Sequence, residues 1–217
     1  MEGFSLSAFA AECHVADPER FTGLCGRFFE LLAEANSRIN LTRITLREDF
    51  EIKHVADSLF LARCFPEIAS GRRRIADIGC GAGFPSVVLA AAFPELEVTA
   101  IDSTQKKIAF VSDAARELGL ANLHPVAGRA VELARMPDFS GKFEIVTARA
   151  VATAEKLCRE GRRLLGPRGR FILYKTPGQR EELAALTSDR SIRWETTPVF
   201  DLPGGAGSRL FFVGTRS

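Results

Sequence analysis

Apolar positions change their period once along this 217-residue chain. Before residue 70 they recur every three or four positions. Phe21, Leu24, Cys25, Phe28, Leu31, Leu32 and Ala35 fall on one face of a helix. Asp17-Pro18-Glu19 opens it, with Asp17 as a candidate N-cap and Pro18 in the first turn. A second helix is expected over 48–63, with Phe50, His54, Asp57, Ser58 and Leu61 roughly on one face. From residue 71 short apolar runs at 75–78, 98–101, 123–126, 145–148 and 171–174 alternate with helical patterns at 86–93, 104–118, 153–165 and 178–187. Strands separated by helices predict a parallel sheet covered on both faces. The runs at 193–200 and 210–215 are instead joined by Pro203-Gly204-Gly205-Ala206-Gly207 and read as a hairpin. The chain therefore divides into an N-terminal helical cap, 1–70, and an α/β domain, 71–217. The expected sheet has seven strands, mostly parallel, and ends in an antiparallel hairpin.

Composition narrows the class without naming a partner. Hydrophobic residues make up 46% and charged residues 26% of the chain, the balance of a soluble globular protein. A net charge of +2 argues neither for nor against a polyanion. Arginine is uneven, crowding 72–74 and again 159–170; such runs serve as solvated faces or as binding patches. The five cysteines form no Cys-x-x-Cys pair and have no metal-like spacing with the three histidines. Reduced thiols in a cytoplasmic protein, with no metal, are the expectation. Neither a secretory leader nor a run of about 20 apolar residues is present, so no membrane partner is expected.

Candidate chemistry gathers at the strand ends. In an open α/β sheet, ligands bind beyond the carboxyl ends of the strands, where the strand order reverses. After the first strand stands Asp77-Ile78-Gly79-Cys80-Gly81-Ala82-Gly83-Phe84-Pro85. A dinucleotide turn wants Gly-x-Gly-x-x-Gly, and Phe84 occupies its last glycine position. An acidic residue two positions before Gly-x-Gly-x-Gly instead resembles the first motif of S-adenosylmethionine-dependent methyltransferases. Gly79, Gly81 and Gly83 would let a cofactor lie against backbone. Phe84 packs either on that ligand or beneath the helix. Asp102, about 20 positions after the turn, suits a ribose diol or an N-cap. After the third strand, Gly128-Arg129-Ala130-Val131-Glu132 could hold an adenine. Arg129 would meet a carboxylate or phosphate, or pair with a surface acid. Arg149 ends the fourth strand as a ligand contact or an ion-pair member. Lys175 ends the fifth, facing a phosphate or solvent.

Absences bear on the acceptor. No Asn/Asp-Pro-Pro-aromatic follows the fourth strand, as in amine methyltransferases, and no strand-ending cysteine suggests attack on a pyrimidine. An atom that is already nucleophilic remains, and guanine N7, an unprotonated acceptor on the base edge, fits.

Asn40-Leu41-Thr42, His54-x-x-Asp57-Ser58, the glycine turn, Asp102-Ser103 and Arg149-Ala150 occur in that order over most of the chain. Together they resemble the small-subunit ribosomal RNA guanine-N7 methyltransferases, also called the glucose-inhibited division protein B family. The resemblance implies a Rossmann-like methyltransferase fold, S-adenosylmethionine as cofactor, and a guanine of 16S ribosomal RNA of the small subunit as substrate; a monomer is the separate expectation for the chain. It places Gly79, Phe84, Ala130, Val131 and Arg149 at the cofactor. Lys106, Arg129 and Lys175 would face RNA or the reacting base, Arg149 and Lys175 carrying the catalytic assignment. Asn40 and His54 would bring the cap to the mouth of the site, or serve as structural hydrogen-bonding residues. The chain departs from the family at Ser86 and Val88, where Gly and Pro are usual. It also differs at Ala35 for a frequent tryptophan, at Cys80 for a serine or threonine, and at Thr176 for a glycine. The same fold acting on a small molecule, and an RNA-binding module without chemistry, are the alternatives; the intact glycine turn and Asp102 speak against the second.

Overall fold

The computed structural model describes residues 3–150, 152–186 and 191–216. Its sheet contains β1 (Arg74–Ile78), β2 (Glu97–Asp102), β3 (Leu123–Ala127), β4 (Phe143–Arg149), β5 (Leu165–Lys175), β6 (Ile192–Thr196), β7 (Phe200–Asp201) and β8 (Ser208–Arg216). The order is β3-β2-β1-β4-β5-β8-β6, with β7 pairing β8. Strands β1 to β5 pair in parallel, and β8 runs antiparallel to β5, β6 and β7. The path of seven strands is the one expected. The short β7 is additional, because Pro198 has no N–H to continue the ladder and the strand predicted over 193–200 breaks there. Thr197 Oγ1 accepts the Phe211 amide at 2.9 Å.

Strand order reverses between β1 and β4, which opens the cleft at their carboxyl ends. Both faces are covered, as continuous apolar strands require. Side chains alternate across the sheet, so Ile145, Ile172 and Phe211 join one buried cluster while Val146, Phe171, Leu173 and Phe212 join the other. The first cluster also holds α1 (Leu6–Glu12), α2 (Pro18–Ile39), α4 (Asp57–Cys64), α5 (Ser86–Ala92) and α6 (Gln105–Glu117). The helices before residue 71 thus share a core with one face of the sheet. The opposite face carries α7 (Ala130–Leu133), α8 (Ala154–Gly161) and α9 (Glu182–Leu186). The helix predicted over 178–187 begins as a 3₁₀ turn, Pro177–Gln179, before α9; its expected last residue, 187, lies outside the described residues.

The helix expected over 48–63 is continuous in space but not uniform. α3 (Arg47–Phe50) passes into a π-helical stretch, Glu51–Ala56, and then into α4. The wider turns contain His54, a placement common at functional sites.

Phe28 of α2 joins the helices to the glycine turn. Its ring lies 6.0 Å from Phe50, 5.3 Å from Phe84 and 6.2 Å from Phe110, centroid to centroid. Truncating so buried a ring leaves a cavity that α2, α3, α6 and the turn cannot all close. Phe28→Ala should lower stability by about 3–5 kcal/mol, read as a lower urea midpoint. A loss below 1 kcal/mol would show that the helices dock independently of this ring.

Candidate functional site

The turn after β1 is shaped by backbone that only glycine supplies cheaply. Gly79 donates to Ile101 O at 2.7 Å and has φ +73°, while Gly83 has φ +100°. A Cβ on Gly83 would stand 2.4 Å from Val87 Cγ2. Asp102, at the end of β2, ties this turn to the next. Its Oδ2 accepts the Gly81 amide at 3.1 Å and its Oδ1 the Thr104 amide at 2.8 Å. The N-cap of α6 is Thr104 rather than Asp102; Asp102 holds the Thr104 amide just before it and lines the cleft.

Two cavities meet over this turn. One, of about 340 Å³, runs from Leu41 and Thr42 over Gly79–Gly81 and Phe84 to Arg149 and Ala150. The other, of about 310 Å³, is lined by Gly128, Arg129, Ala130, Ser103 and Lys156. Gly79, Asp102 and Lys107 border both, so an elongated ligand would cross at Asp102. Beneath the turn, Asp77 is wholly buried. Its Oδ2 accepts the Ser86 hydroxyl and its Oδ1 has no hydrogen-bond partner. Burial raises this carboxyl to about 7, against the opposing pull of Ser86 and Arg149. A glycine cradle, a carboxylate at the crossing and an orphaned buried carboxyl oxygen fit a nucleoside carrying positive charge, as S-adenosylmethionine does.

Arg149 forms a partition. Its Nη1 donates to Asp57 Oδ2 and to Lys53 O, each at 3.0 Å, and its Nη2 donates to His54 Nδ1 at 2.8 Å. Its guanidinium lies 5.3 Å from the Phe84 ring. Behind it opens a third cavity of about 630 Å³, which includes Asp57, Tyr174, Lys175, Gln179, Glu182 and Arg209. Arg149, His54 and Ala150 line this space and the glycine-turn cavity alike. Ala150 is held at φ +56°, a conformation uncommon outside glycine that marks constrained sites.

His54 is locked on both nitrogens. Arginine can only donate, so Nδ1 accepts and the ring proton sits on Nε2, which donates to Thr42 Oγ1 at 3.0 Å. The imidazole stacks on Phe84 at 4.1 Å and 11°. Burial, and then the Arg149 charge, lower its pKa to about 3. Thr42 is itself fixed, since Asn36 pairs with its amide and carbonyl at 2.8 and 2.9 Å.

The other predicted residues separate. Phe84 is 5% exposed, a core aromatic whose edge reaches the cavity. Asn40 is exposed and closes α2 at φ +46°, leaving Leu41 and Thr42 to face the cleft. Lys106 stands exposed on α6 outside the three cavities, and its neighbour Lys107 lines the two that meet over the turn. Arg129 is exposed beside Ala130 at the start of α7, while Val131 borders none of the three cavities. Lys175 is not solvated: it is 4% exposed, with Nζ 2.7 Å from Glu182. Thr42, Asp57, Lys107, Glu182 and Arg209 were not anticipated as site residues. Thr42 and Asp57 lay inside the quoted motifs, but no spacing signals Glu182 or Arg209.

The family model described as GidB, rRNA small subunit methyltransferase G, matches residues 24–200. The chain belongs to this family. A ribosomal RNA small subunit methyltransferase G from Limosilactobacillus reuteri is 41% identical over 193 residues, 86% of this chain and 79% of that one. One from Lactobacillus delbrueckii is 37% identical over 189 residues, with the same coverages. Among solved structures, an O-methyltransferase from Bacillus cereus in complex with SAH aligns with TM-score 0.62 at 13% identity. That alignment covers 88% of this chain and 91% of that one. At that identity the likeness shows the fold, that of S-adenosylmethionine-dependent methyltransferases.

The His54 geometry sets a pH dependence. Unfolded, the imidazole takes a proton near pH 6.5; folded, it does so only near 3. Acidification through that window therefore favours the unfolded chain. The stability that wild type holds over His54→Gln should shrink between pH 7 and pH 5, measured by urea midpoints. A constant difference would mean that His54 takes up its proton equally well in the folded and the unfolded chain.

Proposed function

We propose that this protein transfers the methyl group of S-adenosylmethionine to N7 of a specific guanine in 16S ribosomal RNA of the small subunit. Membership of the rRNA small subunit methyltransferase G family carries this reading. What the site adds is an arrangement that needs no base. Gly79, Gly81 and Gly83 with Asp102 would hold the cofactor along the β1–β2 mouth, with Ala130 at the adenine side. When bound, S-adenosylmethionine supplies an electrophilic methyl on a sulfonium.

Guanine N7 already carries its lone pair, so no proton has to be removed before transfer. His54 could not remove one readily, because both its nitrogens are engaged. Catalysis then consists of positioning and of an environment that tolerates positive charge on the base. Arg149 serves the first by standing between the cofactor side and the larger cavity. Asp57 serves the second: paired at 3.0 Å, it offsets the guanidinium charge that would otherwise repel the methylated base. Arg129 and Lys107, beside the cleft, are placed for RNA phosphates.

No helix among the described residues is long and apolar enough to cross a membrane. No disulfide joins the five cysteines, four of which are buried, and burial raises the thiol pKa of Cys13, Cys25, Cys64 and Cys80. Inert thiols support a cytoplasmic location. Monomeric action is part of the same proposal.

Incubation with methyl-labelled S-adenosylmethionine and small subunits lacking the modification, followed by digestion to nucleosides, should place label in 7-methylguanosine. Asp102→Ala should weaken cofactor binding at least tenfold while helical content is retained. Arg129→Ala should chiefly weaken RNA engagement and lower the salt slope by about one. Label absent from every nucleoside, with cofactor bound, would refute the reading.

A further inference from the structure

A cavity of about 840 Å³ opens at the end of the sheet opposite the glycine turn. It lies where β4 and β5 begin and β8 ends, and Ser140, Arg162, Arg163, Ser191 and Arg216 line it. The reaction as derived uses none of them. Arg162 closes α8, and the chain then turns into β5. The Gly141 amide donates to Arg163 O at 2.7 Å and the Phe143 amide to Leu164 O at 3.0 Å, which fixes this turn beside β4. Gly141 does so at φ +70°, and a Cβ on Gly166 would stand 3.0 Å from its carbonyl oxygen. The backbone beneath the arginines is thus set by close packing, while their side chains are exposed.

Among the described residues, no carboxylate lines this cavity. Arg216 Nη1 donates to Leu165 O at 2.9 Å, and Arg162 Nη2 lies 3.4 Å from Ser191 Oγ. Arg163 makes no side-chain hydrogen bond or ion pair among the described residues. A guanidinium carries five donors, so Arg163 and Arg216 keep most of theirs for a ligand. Like charges gathered without a counter-charge repel one another and give the free protein no stability. An anion with several oxygens relieves that repulsion, and the planar guanidinium fork matches phosphate through two parallel hydrogen bonds. The two serines add hydroxyl donors. A volume of about 840 Å³ is that of a drug-sized ligand, more than a lone phosphate fills.

We propose that this arginine cavity holds phosphate groups of the substrate RNA backbone, a second grip on the RNA at the far end of the sheet from the reacting base. The inference rests on the RNA-methylation reading above. β4 runs seven residues from Phe143, beside the cavity, to Arg149 in the cleft, roughly 20 Å at the rise of a strand. One nucleotide cannot cover that separation, whereas a folded RNA lying along the protein can. The contact carries no sequence information, since phosphates position a nucleic acid and base edges specify it. Its effect is to select RNA by shape and extent, as proteins that read structured RNA do. The arginines crowded between 159 and 170 then divide between a solvated face and this binding patch.

The test measures affinity for small subunits lacking the modification, as a function of salt, for wild type, Arg163→Gln and the double variant Arg163→Gln/Arg216→Gln. Each lost phosphate contact should lower the slope of log affinity against log salt by about one, so the double variant should lose about two. S-adenosylmethionine affinity should stay unchanged. The urea midpoint of Arg163→Gln should be equal to or above that of wild type, because a repelling charge is removed; this single variant guards against a folding defect in the double one. On a short RNA hairpin carrying the accepted guanine, too small to span the sheet, all three proteins should bind alike. An unaltered slope in both variants, or the same loss on the hairpin as on the small subunit, would overturn the second grip while leaving N7 methylation intact. Loss of stabilisation by inorganic phosphate in the variants, with the wild-type slope on small subunits retained, would assign the cavity to a small anion and overturn the RNA assignment. Wild type that binds cofactor but neither holds nor labels small subunits would overturn both readings.

Discussion

The site depends on where a guanidinium at the end of a buried strand finds its counter-charge. Arg149 finds it in Asp57, 92 residues earlier in the chain. Neither charge could stay so deeply placed alone, because an unpaired buried ion costs several kcal/mol. Together they hold the π-helical stretch against the mouth of the sheet. Arg209 of β8 approaches the same carboxylate at 3.3 Å, so one acid collects a helix, a parallel strand and the antiparallel end of the sheet. Tyr174 strengthens this seam by donating from β5 to Ser58 O at 2.8 Å.

Around this seam the molecule keeps its polar groups engaged rather than poised. His54 stays neutral, pinned between Thr42 and Arg149 and stacked on Phe84. Asp77 and Asp57 each keep one buried carboxyl oxygen without a hydrogen bond, that of Asp77 beneath the turn and that of Asp57 3.3 Å from Arg209. A site built this way suits methyl transfer to a lone pair. The protein has to hold two partners in line and exclude competing nucleophiles, which calls for rigid walls rather than a titrating side chain.

The family departures are absorbed by the packing. Ser86, where glycine is usual, donates its hydroxyl to the buried Asp77, and Val88 is buried within α5. Cys80 is buried with its thiol 3.9 Å from Gly81 O. Ala35, in place of the frequent tryptophan, is partly buried against the core. None of these positions opens the turn.

Sequence alone determined what depends on local chemistry. Apolar period separates helix from strand, and glycine at positive φ marks the turn. The order of βα units followed by a hairpin specifies the sheet, and the motifs specify the family. Asp102 and Arg149 were legible because each ends a strand whose place in a parallel sheet is fixed. Tertiary structure decided what depends on the rotation and docking of helices. Lys107 rather than Lys106 meets the cleft because α6 packs with Ile108 and Val111 buried against the sheet. Asn40 became a helix end and Thr42 the residue that holds His54, through an Asn36 contact that spans six positions without helical or strand periodicity. Glu182 reached Lys175 only because α9 folds back over the carboxyl end of β5. A one-dimensional pattern records which residues are buried, whereas the partner of a buried charge is chosen by distances that exist only once the layers have packed.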